Sequence, residues 1–256
     1  MRNHARRAAT RSATVVSLAL VLGCGERTPT GPAVSVPNAP FAVNAVLPAF
    51  PGPGAFVAVI DNPYYPLIPG TTFEYRAETS AGLETNTVEV TSDTKTILGV
   101  AATVVHDRVF LDGELTEDTF DWYAQDVSGN VWYLGEQSCE VEDGQCVSTE
   151  GSWEAGVDGA QPGIIMWADP AAHAGTTYRQ EFLAGEAEDV AKVLRLNARV
   201  EVPYGSFTGC LETMDWSPLE LGVREHKFYC PGTGLVLEVA PREGRARNEL
   251  VAIQTP

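Results

Sequence analysis

The sequence predicts an all-β fold, an antiparallel sheet or an open barrel or sandwich of about ten to twelve strands with little helix. Two observations carry this prediction. Apolar and polar residues alternate with a period of two along much of the chain, and turn-forming residues separate many of the alternating runs. The runs are residues 72–78, 87–92, 102–111, 115–124, 130–136, 177–184, 194–202, 225–230, 235–240 and 249–254.

The turn sequences indicate that neighbouring strands are antiparallel. Asp112-Gly113 stands between two alternating runs, and an Asp-Gly pair in that position is a strong signal for a tight hairpin. Residues 185–196 fit about three helical turns, but their apolar residues serve a strand equally well. Further turn signals are Ser128-Gly129-Asn130, Asp143-Gly144 and Pro231-Gly232. We therefore predict a single β-rich domain over residues 56–256.

The first 23 residues have the pattern of an export signal. Four arginines and no acidic residue precede the uncharged run SATVVSLALVLG. This run is too short to span a bilayer, which needs about 20 residues, so it is typical of a signal peptide and not of a membrane helix. Residues 1–23 are therefore excluded from the fold.

The end of this segment, Val21-Leu22-Gly23-Cys24, resembles the lipobox of bacterial lipoproteins. The resemblance implies cleavage after Gly23 and acylation of Cys24, which would hold the mature chain on a membrane through lipid. Gly25 is compatible with sorting to an outer membrane. We expect a protein of the cell envelope, anchored to the outer membrane or to the outer face of the cytoplasmic membrane. The alternative is an ordinary secretory signal followed by an unrelated cysteine.

The segment that follows is predicted to be a tether, and the mature chain is strongly acidic. Residues 24–55 hold seven of the 17 prolines, too many for a regular helix or strand. Removal of the four arginines in residues 1–23 leaves 13 basic and 34 acidic residues, a formal net charge of −21. An acidic surface repels nucleic acid and anionic lipid. We therefore expect no nucleic-acid partner, and membrane attachment through the lipid on Cys24 alone.

Four cysteines remain once Cys24 carries lipid, and export places them in an oxidising compartment where three disulfide pairings are possible. They are Cys139, Cys146, Cys210 and Cys230. A hairpin with a four-residue loop, residues 141–144, would set Cys139 opposite Cys146, whereas a two-residue Asp-Gly turn would set Cys139 opposite Ser148. That pair leaves Cys210 with Cys230. The alternative, a zinc site, lacks the usual ligand spacing.

Four segments carry a resemblance to a known family. They are NPYYPLIPGTTFEY (62–75), DWYAQDVSGNVWYLGE (121–136), STEGSWEAGVDGAQPGIIM (148–166) and EHKFYCPGTGLVLEV (225–239). Over about residues 60–240 the chain is similar to a widespread family of uncharacterised bacterial secreted proteins and lipoproteins with NPYxPLxPGT and FYxxGxGLV strand motifs. It departs from the family pattern at Cys230. The resemblance implies a β-rich exported domain, and it carries no reaction and no functional residues.

Residues 148–170 are the least regular part of the predicted domain, because four glycines interrupt any strand-like or helical alternation of apolar and polar residues. The segment either covers an open end of the sheet, with its tryptophans in the core and its acids in solvent, or lines a ligand pocket. In the second interpretation the ligand-binding residues are Trp153, Glu154, Asp158 and Trp167. His226, which shares a strand face with Phe228 and is expected to face the interior, is a further candidate.

Calcium is the one cofactor that the sequence leaves open; otherwise none is predicted. Carboxylate oxygens from two acidic segments could gather around such an ion. The residues concerned are Glu150, Glu154, Asp158, Glu186, Glu188 and Asp189. No EF-hand pattern is present, and acidic residues along a hairpin more often form its solvent face.

The sequence contains no recognised catalytic motif. His106, His173 and His226 are widely separated, and neither G-x-S-x-G nor H-E-x-x-H occurs. We predict a membrane-tethered, non-catalytic domain that binds a small molecule or a protein. The alternatives are an uncharacterised hydrolase and a calcium-stabilised surface domain. An enzyme would bring one of the histidines within hydrogen-bond distance of a carboxylate and a nucleophile in one cleft.

Overall fold

The computed structural model describes residues 43–220, 222–240 and 246–256. The predicted signal peptide, Cys24 and the first part of the predicted tether lie outside these residues. Within them the regular structure is β, apart from two short 3-10 helices, Pro53–Ala55 and Pro170–His173. This part of the chain holds no helix with the length and apolar composition that crossing a bilayer requires.

The strands are numbered in chain order. They are β1 (Phe56–Val57), β2 (Thr72–Glu78), β3 (Leu83–Ile97), β4 (Val100–Leu111), β5 (Glu114–Asp126), β6 (Val131–Gln137), β7 (Glu140–Glu142), β8 (Gln145–Ser148), β9 (Trp153–Glu154), β10 (Gln161–Met166), β11 (Thr177–Arg179), β12 (Glu181–Phe182), β13 (Val190–Val202), β14 (Gly205–Trp216), β15 (Glu225–Cys230), β16 (Gly234–Ala240) and β17 (Ala246–Gln254).

Antiparallel pairing joins the longer strands into one sheet that curls round on itself. From β2 the neighbours run through β3, β4, β5 and β6 to β10, and in the other direction through β17, β16, β15 and β14 to β13. The two ends meet at a bent strand, because β12 pairs with β10 while β11, just before it in the chain, pairs with β13. The sheet is therefore nearly a barrel, and side chains alternate between its inner and outer faces.

The predicted all-β antiparallel class is confirmed, with more strands than expected. Each of the ten alternating runs lies in or overlaps a strand. The predicted Asp112-Gly113 hairpin is also present, since Leu111 pairs with Glu114 and both turn residues have positive φ. Positive φ at both central residues matches the right-handed twist of the two strands that the turn connects.

Two further strands, β10 and β14, lie outside the ten predicted runs because glycines interrupt their alternation. β10 lies inside residues 148–170, so that segment is not an irregular loop throughout. Its Gly163 is required by a close approach of two backbones, because a Cβ atom there would lie 2.4 Å from the carbonyl oxygen of Arg179. In β14, Gly209 has a φ of 74° beside a break in the pairing with β13.

The disulfide between Cys139 and Cys146 is present as predicted, but the predicted four-residue loop is wrong. The turn between β7 and β8 contains only Asp143 and Gly144. This turn sets Val141 opposite Cys146, and a bulge at Val147 then sets Glu140 opposite Ser148. The Cα atoms of the two cysteines are 5.6 Å apart. Cys139 is two residues from Val141, so the disulfide links diagonal neighbours across the hairpin and not direct partners.

The second predicted disulfide, Cys210–Cys230, joins the neighbouring strands β14 and β15. Both cysteines are fully buried in the hydrophobic core. The core consists mainly of inward-facing residues of the curled sheet, with further aromatic residues packed on the outer face of β5 and β6.

The described end of the predicted tether, residues 43–55, lies against the domain. The Val46 backbone N–H donates to the carbonyl oxygen of Thr177 over 2.9 Å. The Phe50 ring packs edge-on against Trp132 in β6, with ring centroids 5.9 Å apart, and against Phe56 at 5.4 Å. This part of the chain therefore covers the outer face of β6 before β2 begins.

Candidate functional site

A cavity lies inside the curled sheet, between the inner faces of β2–β5 and those of β15–β17. The volume of the cavity is about 60 Å³, which is room for several waters at about 10–15 Å³ each. Four tyrosines form much of its wall: Tyr65, Tyr75, Tyr123 and Tyr229. The charged and amide side chains in the wall are Asn86, Asp107, Glu117, Asp121, Lys227 and Asn248.

The two sequence motifs NPYYPLIPGT and FYCPGTGLV meet at this cavity. The Gly232 backbone N–H donates to the carbonyl oxygen of Pro63 over 2.7 Å, which ties the two segments together. The rings of Tyr65 and Tyr229, one from each motif, have centroids 6.0 Å apart. Both segments contribute lining residues, among them the half-buried Pro66 and Thr233, so part of the wall is exposed to solvent.

Strand alternation places the polar side chains in the cavity. Asp107 shares its face of β4 with the buried Val105, because residues two apart in a strand point the same way. For the same reason Asp121 shares a face of β5 with Tyr123, and Lys227 shares a face of β15 with Tyr229. Each charged group therefore stands in a row of core side chains.

Two amide oxygens in the cavity wall have no hydrogen-bond partner within the described part of the protein. They are the Oδ1 atoms of Asn86 and Asn248, whose side chains are 1% and 5% exposed. The amide nitrogen of Asn86 does have a partner, since it donates to the Asp107 carboxylate. Leaving a buried acceptor without a partner costs about 1–3 kcal/mol, so these oxygens need an explanation.

Lys227 is enclosed by three carboxylates. Its ammonium nitrogen lies 3.8 Å from Asp215 and 3.9 Å from both Glu225 and Glu238. Burial by itself would lower the pKa of Lys227, but the Glu238, Asp215 and Glu225 charges outweigh burial and raise the pKa above its ordinary value. Lys227 therefore stays charged, and its charge is shared among acids that stand beside the cavity.

The pKa values of both aspartates in the cavity wall are raised, which favours their protonated forms. Burial raises the pKa of Asp121 to about 7, although hydrogen bonds from Tyr133 and Tyr123 act in the opposite direction. Burial, and then the charge of Asp121, raise the pKa of Asp107 well above its ordinary value. Perturbed carboxyl groups that line a cavity are typical of functional sites.

Trp153 and Glu154, two of the residues predicted to bind ligand, are adjacent in β9. The Trp153 side chain is buried in the core, where its ring meets Tyr133 edge-on at 5.3 Å. Glu154 points the other way and forms a salt bridge of 2.8 Å with Lys95. Neither side chain lines the cavity.

Asp158 and Trp167 lie apart from that pair. Asp158 is exposed in a turn, with a φ of 49°. The Trp167 ring is buried, stacks on His173 with centroids 3.7 Å apart, and meets Tyr178 edge-on at 5.3 Å. The predicted set is thus divided between buried packing positions and the surface.

His226 does not face the interior as expected. Its neighbours Glu225 and Lys227 are the inward-facing residues of β15, while His226 is on the outer face. There its Nδ1 atom lies 2.8 Å from Glu212, whose carboxylate also pairs with Arg195. The expectation failed because Phe228 was assumed to be in the core, whereas the core residue of this strand is Tyr229.

The three histidines of the domain occupy three separate places. His106 in β4 lies 2.5 Å from Asp118 in β5 and stacks on Phe120. His173 is in a 3-10 helix against Trp167, and His226 is in β15. None of the three lines the cavity.

The acidic residues considered for calcium are engaged elsewhere or dispersed. Glu154 pairs with Lys95, and Glu188 pairs with Arg179 at 3.3 Å. Within residues 43–220, 222–240 and 246–256, no three His, Cys, Asp or Glu side chains are arranged so that they could hold a metal ion.

Sequence reasoning missed the cavity because it assigned alternating polar positions to the solvent face. A signal was present in the strands themselves. In TFDWY and EHKFYC, Asp121 and Lys227 stand two residues before Tyr123 and Tyr229, so each charge has the parity of a large aromatic residue. A charged residue on the same strand face as large core residues indicates a buried polar group. Which of these groups meet depends on the closing of the sheet, which the sequence does not display.

Comparison with known proteins gives only weak similarity, and only to solved structures. No protein-family model and no curated protein matches the sequence significantly. One similar solved structure is described as an exported protein with a YmcC-like fold from Bacteroides fragilis; it is 15% identical, with a TM-score of 0.44 over 78% of this chain and 100% of the other. A second is described as a lipoprotein from Parabacteroides distasonis, 10% identical, with a TM-score of 0.41 over 78% and 99% of the two chains.

Proposed function

We propose that this protein is a membrane-tethered extracytoplasmic lipoprotein whose β domain binds a small ligand in the interior cavity without catalysing a reaction. One observation carries the proposal: Asn86 and Asn248 line the cavity with amide oxygens that have no partner in the described chain. A ligand that donates to these oxygens would remove their desolvation penalty. This gives a physical reason for polar groups inside an otherwise apolar wall.

The position of the cavity supports the same function. Both motifs that distinguish the sequence contribute to its wall, and their hydrogen bond between Gly232 and Pro63 fixes them against each other. A wall built from strands of a closed sheet changes shape little, so the site is largely formed before a ligand arrives.

The competing class is a hydrolase, and the histidines favour binding over it. His106 and His226 each have one carboxylate partner, on different parts of the outer face, and His173 packs on Trp167. The cavity is lined instead by aspartates, tyrosines and amides. A conservative histidine change that abolished a hydrolytic activity while the fold was retained would favour the enzyme.

The location of the protein is proposed from the sequence. Residues 1–23 would be removed and Cys24 acylated, leaving an acidic chain that only its lipid holds at the membrane. Intact-mass analysis of protein extracted from membranes should give a mature chain that begins at Cys24 and carries acyl groups. A soluble species that begins at another residue would contradict this location.

The binding function is tested by a ligand screen with a cavity variant. Thermal shifts of the full mature chain are measured with a library of polar small molecules, because a ligand of the folded state raises its stability. Asn248→Leu removes one amide and fills space in the cavity, while Asn44→Leu makes the same chemical change at an exposed position. We expect compounds that shift the wild type and Asn44→Leu but not Asn248→Leu. If every hit acts equally on all three proteins, the cavity is not the binding site.

A further inference from the structure

We propose that the cavity binds a small organic cation that carries N–H donors, a primary ammonium or guanidinium group, between the amide oxygens of Asn86 and Asn248 and the neighbouring carboxyl groups. This inference rests on the proposed function and names the chemical class of its ligand.

The hydrogen-bonding groups of the cavity favour a donor. The Tyr75 hydroxyl already donates to the carbonyl oxygen of Leu235 over 3.0 Å, and the amide nitrogen of Asn86 donates to Asp107. The Tyr133 hydroxyl, from β6, donates to Asp121 over 2.6 Å. These donors are engaged inside the protein, whereas the two Asn oxygens are not. A ligand that accepts hydrogen bonds would leave those oxygens unpaired, and one that donates would satisfy them.

The acidic groups in the wall favour a cation, because a bound positive charge stabilises their ionised forms. Asp107, Glu117 and Asp121 line the cavity, and Lys227 is the one basic residue in its described lining. The Lys227 ammonium lies near three further carboxylates, Asp215, Glu225 and Glu238, so it does not neutralise the wall. Burial, and then the charges of Asp121 and Glu117, raise the pKa of Asp107, while the charge of Lys227 lowers the pKa of Asp121. A further positive charge in the cavity would favour the ionised forms of both aspartates.

The aromatic wall favours an organic cation over a bare metal ion. The Tyr65 ring meets the Tyr123 ring edge-on at 5.5 Å and lies 6.0 Å from the Tyr229 ring. Tyrosine faces attract organic cations, but they supply no oxygen at metal-ligand geometry. Because the unpaired groups are acceptors, the cation must carry N–H bonds. A quaternary ammonium would meet the tyrosines and leave Asn86 and Asn248 unpaired.

The test compares four probes of similar size by isothermal titration calorimetry on the full mature chain. They are n-butylammonium chloride, tetramethylammonium chloride, butan-1-ol and sodium butyrate, with sodium chloride at the same concentration as the salt control. We expect n-butylammonium to bind the wild type and Asn44→Leu, and to bind Asn248→Leu about tenfold or more weakly, the loss typical of one hydrogen bond to a charged group. The other three probes should bind at least about tenfold more weakly than n-butylammonium.

Each other outcome overturns a stated part of the inference. If tetramethylammonium binds as well as n-butylammonium, the N–H requirement is wrong. If butanol or butyrate binds best and loses affinity in Asn248→Leu, the cation class is wrong while the proposed binding function stands. If no probe depends on Asn248, the inference fails, and the wider screen decides whether the binding function fails with it. Should Asn248→Leu not fold, Thr233→Trp, which narrows the half-buried side of the cavity, replaces it with the same expected loss.

Discussion

Replacement of Asp121 by asparagine should change how the stability of the domain depends on pH. Burial raises the pKa of this carboxyl from 3.8 to about 7 in the folded protein. The folded state therefore binds the proton more tightly than the unfolded state does. The corresponding stabilisation is fully present below about pH 4 and is lost as the pH rises through about 7. A shift of roughly 3 pKa units at about 1.4 kcal/mol each gives a loss of roughly 4 kcal/mol.

Asparagine keeps the size of the side chain and the oxygen that accepts the Tyr133 hydrogen bond, but it does not ionise. The free energy of unfolding of Asp121→Asn, relative to the wild type, should therefore rise by roughly 4 kcal/mol between pH 4 and pH 8. Urea denaturation at each pH unit over this range, followed by tryptophan fluorescence, measures the difference.

The matched control is Asp158→Asn, an exposed aspartate in a turn whose positive φ asparagine tolerates. Its stability should follow the wild-type curve at every pH. If the curves of Asp121→Asn and the wild type run parallel from pH 4 to pH 8, the Asp121 carboxyl is not protonated preferentially in the folded state, and the reasoning from burial is refuted.

Two further predictions concern the core. Replacement of Cys210 and Cys230 by alanine removes a buried cross-link over a sequence separation of 20 residues. It should lower the free energy of unfolding by about 3 kcal/mol, measured as a lower urea midpoint. An unchanged midpoint would mean that the cross-link does not constrain the unfolded chain. Trp153→Ala should cost about 3–5 kcal/mol because the side chain is buried against Tyr133, and Trp153→Phe should cost less. An unchanged melting temperature with weakened ligand binding would instead place Trp153 in the ligand site.

The strands were predictable wherever a run alternates without glycine. The predicted limits of β2 and β15, 72–78 and 225–230, coincide with the observed ones. β10 was missed because Gly163 has no side chain to continue the alternation, and the reason for that glycine is a backbone neighbour from β11 and the residue after it. A local sequence pattern predicts the strand from the residues within it. It cannot predict a glycine whose only reason is the close approach of a segment that is distant in sequence.

The closing of the sheet was not predictable for the same physical reason. β17 pairs with β2 across nearly the whole domain, with Leu250 opposite Tyr75. That pairing brings Asn248 from one end of the domain to the cavity that Asn86 also lines. Alternation gives the face of each residue, whereas register between distant strands follows from how all inner side chains pack together. The candidate site depends on register, so the search for motifs did not find it.

The acidic interior is hard to explain by stability alone. Lys227 accounts for the carboxylates that surround it, but Asp107 and Asp121 have no salt bridge among the described residues. Burying such groups costs free energy, and apolar residues of similar volume would commonly give a more stable core. Proteins retain costly buried polar groups chiefly where function requires them. Asp107 and Asp121 line the same cavity, beside two amide oxygens that lack partners in the described chain and between the two motifs that distinguish the sequence. A ligand that donates hydrogen bonds and carries positive charge would offset all of these costs at once, and an apolar or anionic one would offset none.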